Sequence, residues 1–382
     1  MIAVMKRTIG IVAGMTMLLA ASAHADTALQ EFLDKTLTDV CTRADLPAIA
    51  ALVQVGDRIE AQAAIGVRAV GHTQSVTKED YWHIGSDTKS MTATLIARLV
   101  EQGFLRYDDT MAKIFPGVAV RMNPALHDVT LQQLLSHTSG LPTLTRPEQL
   151  PAFYAVIKGE KGVRAQRAAI ADYYLVRKPA TPPGEFSYSN LGYIIAGAAA
   201  EERTGRTWEE LIRSEVWKPL GIRSGGFGPP GKSGRYDQPL GHDRVDGQWI
   251  AQDPGKPESD NPVAAGPAGT VHMSLQDWLT FARDQLDGER GAGKLLKAES
   301  YRRLHTPVVK NYALGWGVFR GADGATELLM HTGSNGYWVA DVRIAPKHDT
   351  IVLTAINAGG DQAEKADKDF GRALQEYLKL ID

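Results

Sequence analysis

The order of hydrophobic patterns limits the fold of this chain more than any other feature: strand-like runs occupy both ends and helix-like runs the middle. Ala48 to Val55 and Arg58 to Val67 are strand-like runs around Gly56-Asp57, a hairpin turn signal. Tyr81 to Ile84 reads as another short strand, running into Gly85-Ser86. The period then changes. Met91, Leu95, Ile96, Leu99 and Val100 recur at helical spacing within Ser90 to Gln102, and Gly103 is placed to end that helix. Further helices are expected over Thr130 to Leu135, over Asn190 to Arg203 (closed by Gly205), and from a Thr207/Glu210 capping box through Trp217. Ser274 with Asp277 starts another, holding Leu275, Trp278, Leu279 and Leu286. Strands return at Gly315 to Phe319, Glu327 to His331, Tyr337 to Ile344 and Ile351 to Ile356. Amphipathic helices begin and close this part of the chain, at Thr27 to Leu37 and around Phe370, Leu374, Tyr377 and Leu378. The simplest architecture is α+β: one antiparallel sheet drawn from residues 26–85 and about 305–382, flanked by helices. A mainly helical region, about 86–304, is inserted between its halves. The Gly-, Pro- and Asp-rich stretch from Gly225 to Pro262 reads as an irregular surface excursion.

Residues 1–25 are set apart as a secretory signal peptide. Lys6 and Arg7 precede an apolar run from Ile9 to Ala21, and Ala23-His24-Ala25 is the small-x-small pattern read by signal peptidase. The run is short for a membrane span. A soluble, periplasmic or secreted protein beginning at Asp26 is expected, with no stable membrane anchor after cleavage. Residues 26–382 are read as its one hydrolase-sized domain.

Composition removes several function classes. A formal charge of −2 offers no electrostatic case for binding nucleic acid. The single cysteine, Cys41, cannot form an intrachain disulfide or a cysteine-based zinc site. None of the ten histidines has another four residues away, and H-E-x-x-H and G-x-S-x-G are both absent. Gly226 to Ser233 matches the phosphate-loop pattern, but Pro229 and Pro230 lack the N–H groups such a cradle needs, and no helix start follows. No cofactor and no metal are called for.

Three segments carry chemistry. Ser86 and Lys89 stand three apart at the start of the strongest helix, which puts the hydroxyl and amine on one face. A lysine kept neutral by burial can act as base for a serine nucleophile; a capping serine beside an exposed lysine is the plainer alternative. Tyr188 and Asn190 follow the rigid Pro182-Pro183-Gly184 and precede a helix. Tyr188 can relay a proton and the Asn190 amide can hold a substrate carbonyl; a core aromatic and a cap residue are the structural alternative. His331, Thr332, Gly333 and Ser334 lie at the end of a strand. There Gly333 would let a substrate backbone approach the strand edge, with donors from His331 and Thr332.

Taken together, Ser86-x-x-Lys89, Tyr188-x-Asn190 and His331-Thr332-Gly333 resemble the three ordered motifs of the penicillin-recognising serine hydrolases. The likeness is to the branch holding class C β-lactamases, D,D-carboxypeptidases, D-aminopeptidases and family VIII esterases. It extends from about residue 30 to 378 and includes Leu134 to Leu141 and Leu314-Gly315-Trp316-Gly317. The resemblance implies an acyl-enzyme on Ser86, acid/base work shared by Lys89 and Tyr188, and an oxyanion hole from the backbone N–H groups of Ser86 and Ser334. It implies that Asn190 orients the acyl side of the substrate and Thr332 the leaving-group side. His137 would then be structural, and Trp316 a wall of the cleft or part of the core.

His331 stands where many members have lysine. A histidine near its ordinary pKa of about 6.5 is mostly neutral, so attraction for a substrate carboxylate is weaker and a pH inflection in the histidine range is expected. The expected function is an exported, penicillin-binding D,D-carboxypeptidase acting on D-amino-acid peptides. A carboxylesterase or weak β-lactamase on the same fold is the alternative. A non-hydrolytic penicillin sensor or wall-binding protein is the alternative of another class.

Overall fold

The computed structural model of the chain describes residues 28–380; the expected signal peptide at 1–25 lies outside them. A six-stranded antiparallel sheet, in the order β2-β1-β11-β10-β9-β8, forms the body. β1 (Ala48–Val55) and β2 (Arg58–Gly66) come from the N-terminal part. β8 (Gly317–Arg320), β9 (Thr326–Ser334), β10 (Val339–Ala345) and β11 (Thr350–Ile356) come from the C-terminal part. The joining seam is β1 against β11, with Leu52 opposite Leu353.

Both faces of this sheet are covered, which is why its central strands are apolar nearly throughout. Ala48, Ala50 and Leu52 of β1 face the helical region, whereas Ile49, Ala51 and Val53 face the other way. Against the second set lie α1 (residues 28–43) and the C-terminal helix Gly360–Leu378, which contributes Phe370 and Leu374. Cys41 is buried in this layer, its Sγ 3.4 Å from the Leu46 carbonyl.

On the opposite face α2 (Thr88–Glu101) runs through the centre of the molecule, buried almost all round. Buried hydroxyls on it bond carbonyls at its own start or in the short helix Gly266–Gly269. Ser90 Oγ donates to the Asp87 carbonyl and Thr92 Oγ1 to that of Pro267, each at 2.7 Å. α3 (Leu131–Leu135) starts from a Thr130/Gln133 capping box, and α4 (Asn190–Thr204) ends on Gly205 at φ +75°. Ser274 caps α5 (Leu275–Gly288) by accepting the Asp277 N–H.

Three sequence expectations need correction. The helix expected from Thr207 to Trp217 begins on its capping box but passes into a π-turn at Ile212–Trp217. Leu150–Ile157 and Val163–Leu175 form helices with no counterpart in the pattern reading. The stretch from Gly225 to Pro262 is not wholly irregular. β4 (Gly226–Phe227) joins β3 (Tyr81–His83) and β7 (Val271–Ser274) in a small sheet ordered β3-β7-β4. β5 (His242–Val245) and β6 (Gln248–Ala251) form a hairpin about Asp246-Gly247, where φ is +50° and +79°. An Asp-Gly pair between short runs is a strong hairpin signal.

Two buried histidines pin this segment. His242 Nδ1 lies 2.6 Å from the Asn357 carbonyl, and its Nε2 accepts the Val70 N–H at 3.0 Å. His272 Nδ1 donates to the Gly228 carbonyl at 2.7 Å. Burial pushes each down to about 4. Between that value and about 6.5 the unfolded chain binds protons that the folded one refuses, so stability falls as pH falls through this window. Urea unfolding is expected to show a lower midpoint at pH 4.5 than at 7.5, a loss on the order of several kcal/mol. His242→Gln is expected to narrow that difference; an unchanged difference would contradict this assignment.

Candidate active site

Ser86 sits in a single 3₁₀ turn, Gly85–Asp87, that joins β3 to α2. Gly85 takes φ +50°, and a side chain there would fall 2.5 Å from the Ser334 amide nitrogen. The turn is thus pressed against the end of β9. Lys89, three residues on, is fully buried, and its Nζ lies 2.9 Å from Ser86 Oγ. It also donates to the Ala268 carbonyl at 2.6 Å. Burial lowers the Lys89 amine to about 7, with the nearby Asp87 opposing the shift. At neutral pH a large fraction is therefore free amine. The buried, bonded lysine removes the alternative of a surface side chain.

Tyr188 and Asn190 reach the same place from the other side. The strap before them is fastened to the Ser136–Gly140 segment: Gly184 N–H donates to the Thr138 carbonyl and Ser187 N–H to that of His137, both at 2.8 Å. The Tyr188 hydroxyl faces the Ser86 side chain, and Lys89 Nζ stands 5.0 Å from the Tyr188 ring centroid. Burial raises the Tyr188 phenol, so it holds its proton across the neutral range. Ser189 is the residue that caps α4, accepting the Gly192 N–H at 3.1 Å. Asn190 is thereby released from capping. One of its amide N–H groups donates to the Leu144 carbonyl at 3.1 Å, while its buried Oδ1 has no hydrogen-bond partner among the described residues. A narrow crevice lined by Ser86, Asn190, Ser334, Asn261, Leu144 and Phe153 opens between these elements.

β9 supplies the third wall. Pairing with β8 reaches Met330, so His331–Ser334 run on beyond the end of β8. Thr332 Oγ1 donates to Asp341 Oδ2 at 2.8 Å. Gly333 is small for a reason the sequence reading did not give. A side chain there would fall 2.0 Å from the Ile84 carbonyl and 2.8 Å from the Ser86 amide nitrogen. The protein's own turn, rather than a substrate backbone, occupies that space.

His331 also departs from expectation. Its side chain is 5% exposed, with Nδ1 3.1 Å from the Thr332 carbonyl and Nε2 3.4 Å from Tyr312 Oη. Burial, with Lys89 adding to it, lowers His331 to about 3. The histidine is neutral over the whole working range, and no inflection near pH 6.5 is expected from it. Neither Asp87 carboxyl oxygen has a hydrogen-bond partner among the described residues, and one lies 3.6 Å from His331 Nδ1. Burial first, then Asp341 and Asp367, holds the Asp87 carboxyl well above the usual carboxylate range.

Tyr312 is the member of this cluster that sequence reasoning missed. His137, at φ +59°, accepts the Ser189 N–H on Nδ1 at 3.1 Å, which leaves its proton on Nε2, 3.1 Å from Tyr312 Oη. Donors then run in one direction, from His137 to Tyr312 to His331, beneath the crevice. His137 packs 4.3 Å from the Tyr188 ring, so it serves as scaffold for the Tyr188 strap. Trp316 is fully buried core.

A half-buried serine beside a buried lysine at a helix start, faced by a protonated tyrosine and closed by a sheet strand, defines a serine hydrolase of the beta-lactamase/transpeptidase-like fold. The model of the Beta-lactamase family matches residues 26–376, and the chain belongs to that family. It is similar to "Penicillin-binding protein 4" of Amycolatopsis lactamdurans, 29% identical over 312 residues that cover 78% of this chain and 77% of that protein. It is 23% identical to "Protein flp" of Staphylococcus aureus over 88% of its own length, spanning 64% of that relative. Among solved structures it resembles SurE, with TM-score 0.72 and 24% identity, over 93% of this chain and 76% of that one. SurE has also been crystallised with D-Leu.

Proposed function

We propose that this protein is an exported acyl-enzyme hydrolase of the penicillin-binding, D,D-carboxypeptidase type, acting on D-amino-acid peptides. The observation that carries the mechanism is the 2.9 Å contact between Ser86 Oγ and a lysine lowered to about 7. In its neutral form Lys89 still donates to Ala268, and its lone pair takes the Ser86 proton as Oγ attacks the carbonyl carbon. The new C–O bond leaves negative charge on the carbonyl oxygen, which the Ser86 and Ser334 N–H groups would receive. Tyr188, which keeps its proton, delivers one to the departing amine and is recharged from Lys89. Water then cleaves the ester by the same steps in reverse. No cofactor enters.

The D-peptide reading is supported by the penicillin-binding relative and by the SurE complex with D-Leu. Past Met330 the edge of β9 that faces away from β10 is not paired by β8, which also suits a peptide laid alongside it. A second reading, a carboxylesterase, is favoured by the neutral His331, which offers no fixed cation to a substrate carboxylate. Purified protein offered a D-Ala-D-Ala peptide, a fluorescent penicillin and a short-chain nitrophenyl ester separates them. Peptide turnover with penicillin labelling is expected. Turnover of the ester alone would establish the esterase, and stable labelling without any turnover would leave a sensor.

A further inference from the structure

Asp260 belongs to the long segment that crosses the surface, yet its carboxylate is turned inward, its side chain 7% exposed. It accepts from three donors. Its Oδ1 receives the Asn335 side-chain amide and the Asn261 backbone N–H, both at 2.7 Å. Both of its oxygens lie 3.1 Å from Nε2 of His83, which is completely buried in β3. His83 in turn accepts the Gly85 N–H on Nδ1 at 3.1 Å. An Nδ1 that accepts carries no proton, so His83 is the Nε2–H tautomer and donates to Asp260.

The two arms of this carboxylate end on opposite sides of one site. Through His83 it holds Gly85, the residue before Ser86. Through Asn335 it holds the residue after Ser334. A third arm runs through Asn261, whose side chain donates to the Gly269 carbonyl at 2.9 Å; Gly269 packs against Gly85 and follows Ala268, the partner of Lys89.

We propose that Asp260 and His83 are positioning residues that fix the spacing of the Ser86 and Ser334 N–H groups, and so set the oxyanion hole. The proposal rests on the reading of Ser86 as nucleophile. Fixed donor placement is what such a hole requires, because donors that must move lose most of their worth in the transition state.

Asp260→Asn tests it. An amide has one acceptor oxygen for three donors. With that oxygen already shared by Asn335 and Asn261, the NH₂ that replaces the other oxygen faces Nε2 and favours the proton on Nδ1, against the Gly85 N–H. Three measurements are made on the full chain: the p-nitrophenol burst from p-nitrophenyl acetate, KM and kcat for that ester, and the ¹⁵N shifts of the His83 ring. The burst rate and kcat are expected to fall about 10²-fold with KM changed less than about threefold, and the ring to switch tautomer. A wild-type burst rate in Asp260→Asn would overturn the proposal, as would an unchanged tautomer accompanied by a rise in KM alone. A second pair covers poor folding. His83→Asn offers Gly85 an acceptor and His83→Leu does not, so the first is expected to acylate at least tenfold faster; equal rates would overturn the proposal. Fluorophosphonate labelling of the wild type separates the two claims. Absence of label on Ser86 would refute the nucleophile, whereas label on Ser86 with an undisturbed Asp260→Asn would refute only the positioning pair.

Discussion

Ser86→Ala is expected to lower ester and peptide turnover on the order of 10⁴-fold or more, with the fold intact. The hydroxyl is the atom on which the other groups converge: Lys89 Nζ lies 2.9 Å from it and the Tyr188 hydroxyl faces it. Its removal leaves a base and an acid with nothing to activate. Alanine retains the backbone N–H and costs one small, half-buried hydroxyl, so the melting temperature is expected to hold within a few degrees. Parallel measurement of turnover and thermal unfolding checks this, and loss of both together would count against a purely chemical role.

Lys89→Met is expected to lower the acylation rate about 10³-fold and to change the shape of its pH dependence. In the parent, the rate follows the neutral amine. It should rise through about pH 7 and level off above pH 8, because burial lowers Lys89 to about 7 and Tyr188 stays protonated throughout. His331, lowered to about 3, adds no limb in the neutral range. Methionine fills similar volume without the ammonium, so the ascending limb should disappear. Arginine at this position remains cationic and is not expected to restore activity. The linkage has the matching sign. A lysine with a depressed folded pKa costs stability at low pH, and that cost is relieved as pH rises from about 7 towards 10. Lys89→Met should therefore be more stable than the parent at pH 6, which denaturation at two pH values will show.

Much of this was legible in the sequence because the period of each segment agrees with its surroundings. β1 and β11 are apolar on both faces since helices cover both, and their alternation assigns each side chain to a layer. Val163–Leu175 was not legible, and the reason is physical. Its buried face includes Arg167, which no apolar pattern would select. Arg167 is tolerated there because Glu201 and Glu209, from distant positions, bond its guanidinium. Gly162, at φ +87°, begins that helix without a side-chain cap, so the start signal is missing as well. The hairpin over His242–Ala251 carries its signal in Asp246-Gly247, but the Gly- and Pro-rich residues around it mask the short flanking strands.

The site divides in the same way. Ser86, Lys89, Tyr188, Asn190 and the His331–Ser334 strand are marked by short local patterns, and the fold brings them to one crevice. Tyr312 and Asp260 carry no such pattern. Asp260 reaches His83 across 177 positions of sequence, and Tyr312 reaches His137 across 175. Such contacts are set by topology. The charge state of His331 was equally hidden, since burial rather than residue type decides it.

The most direct test of the account is intact-protein mass measurement after brief exposure to benzylpenicillin and to a nitrophenyl ester, with peptide mapping of any adduct. One acyl group per chain is expected, on the peptide containing Ser86, formed faster at pH 8 than at pH 6 and absent from Ser86→Ala. An adduct on another residue, or undiminished turnover by Ser86→Ala, would contradict it.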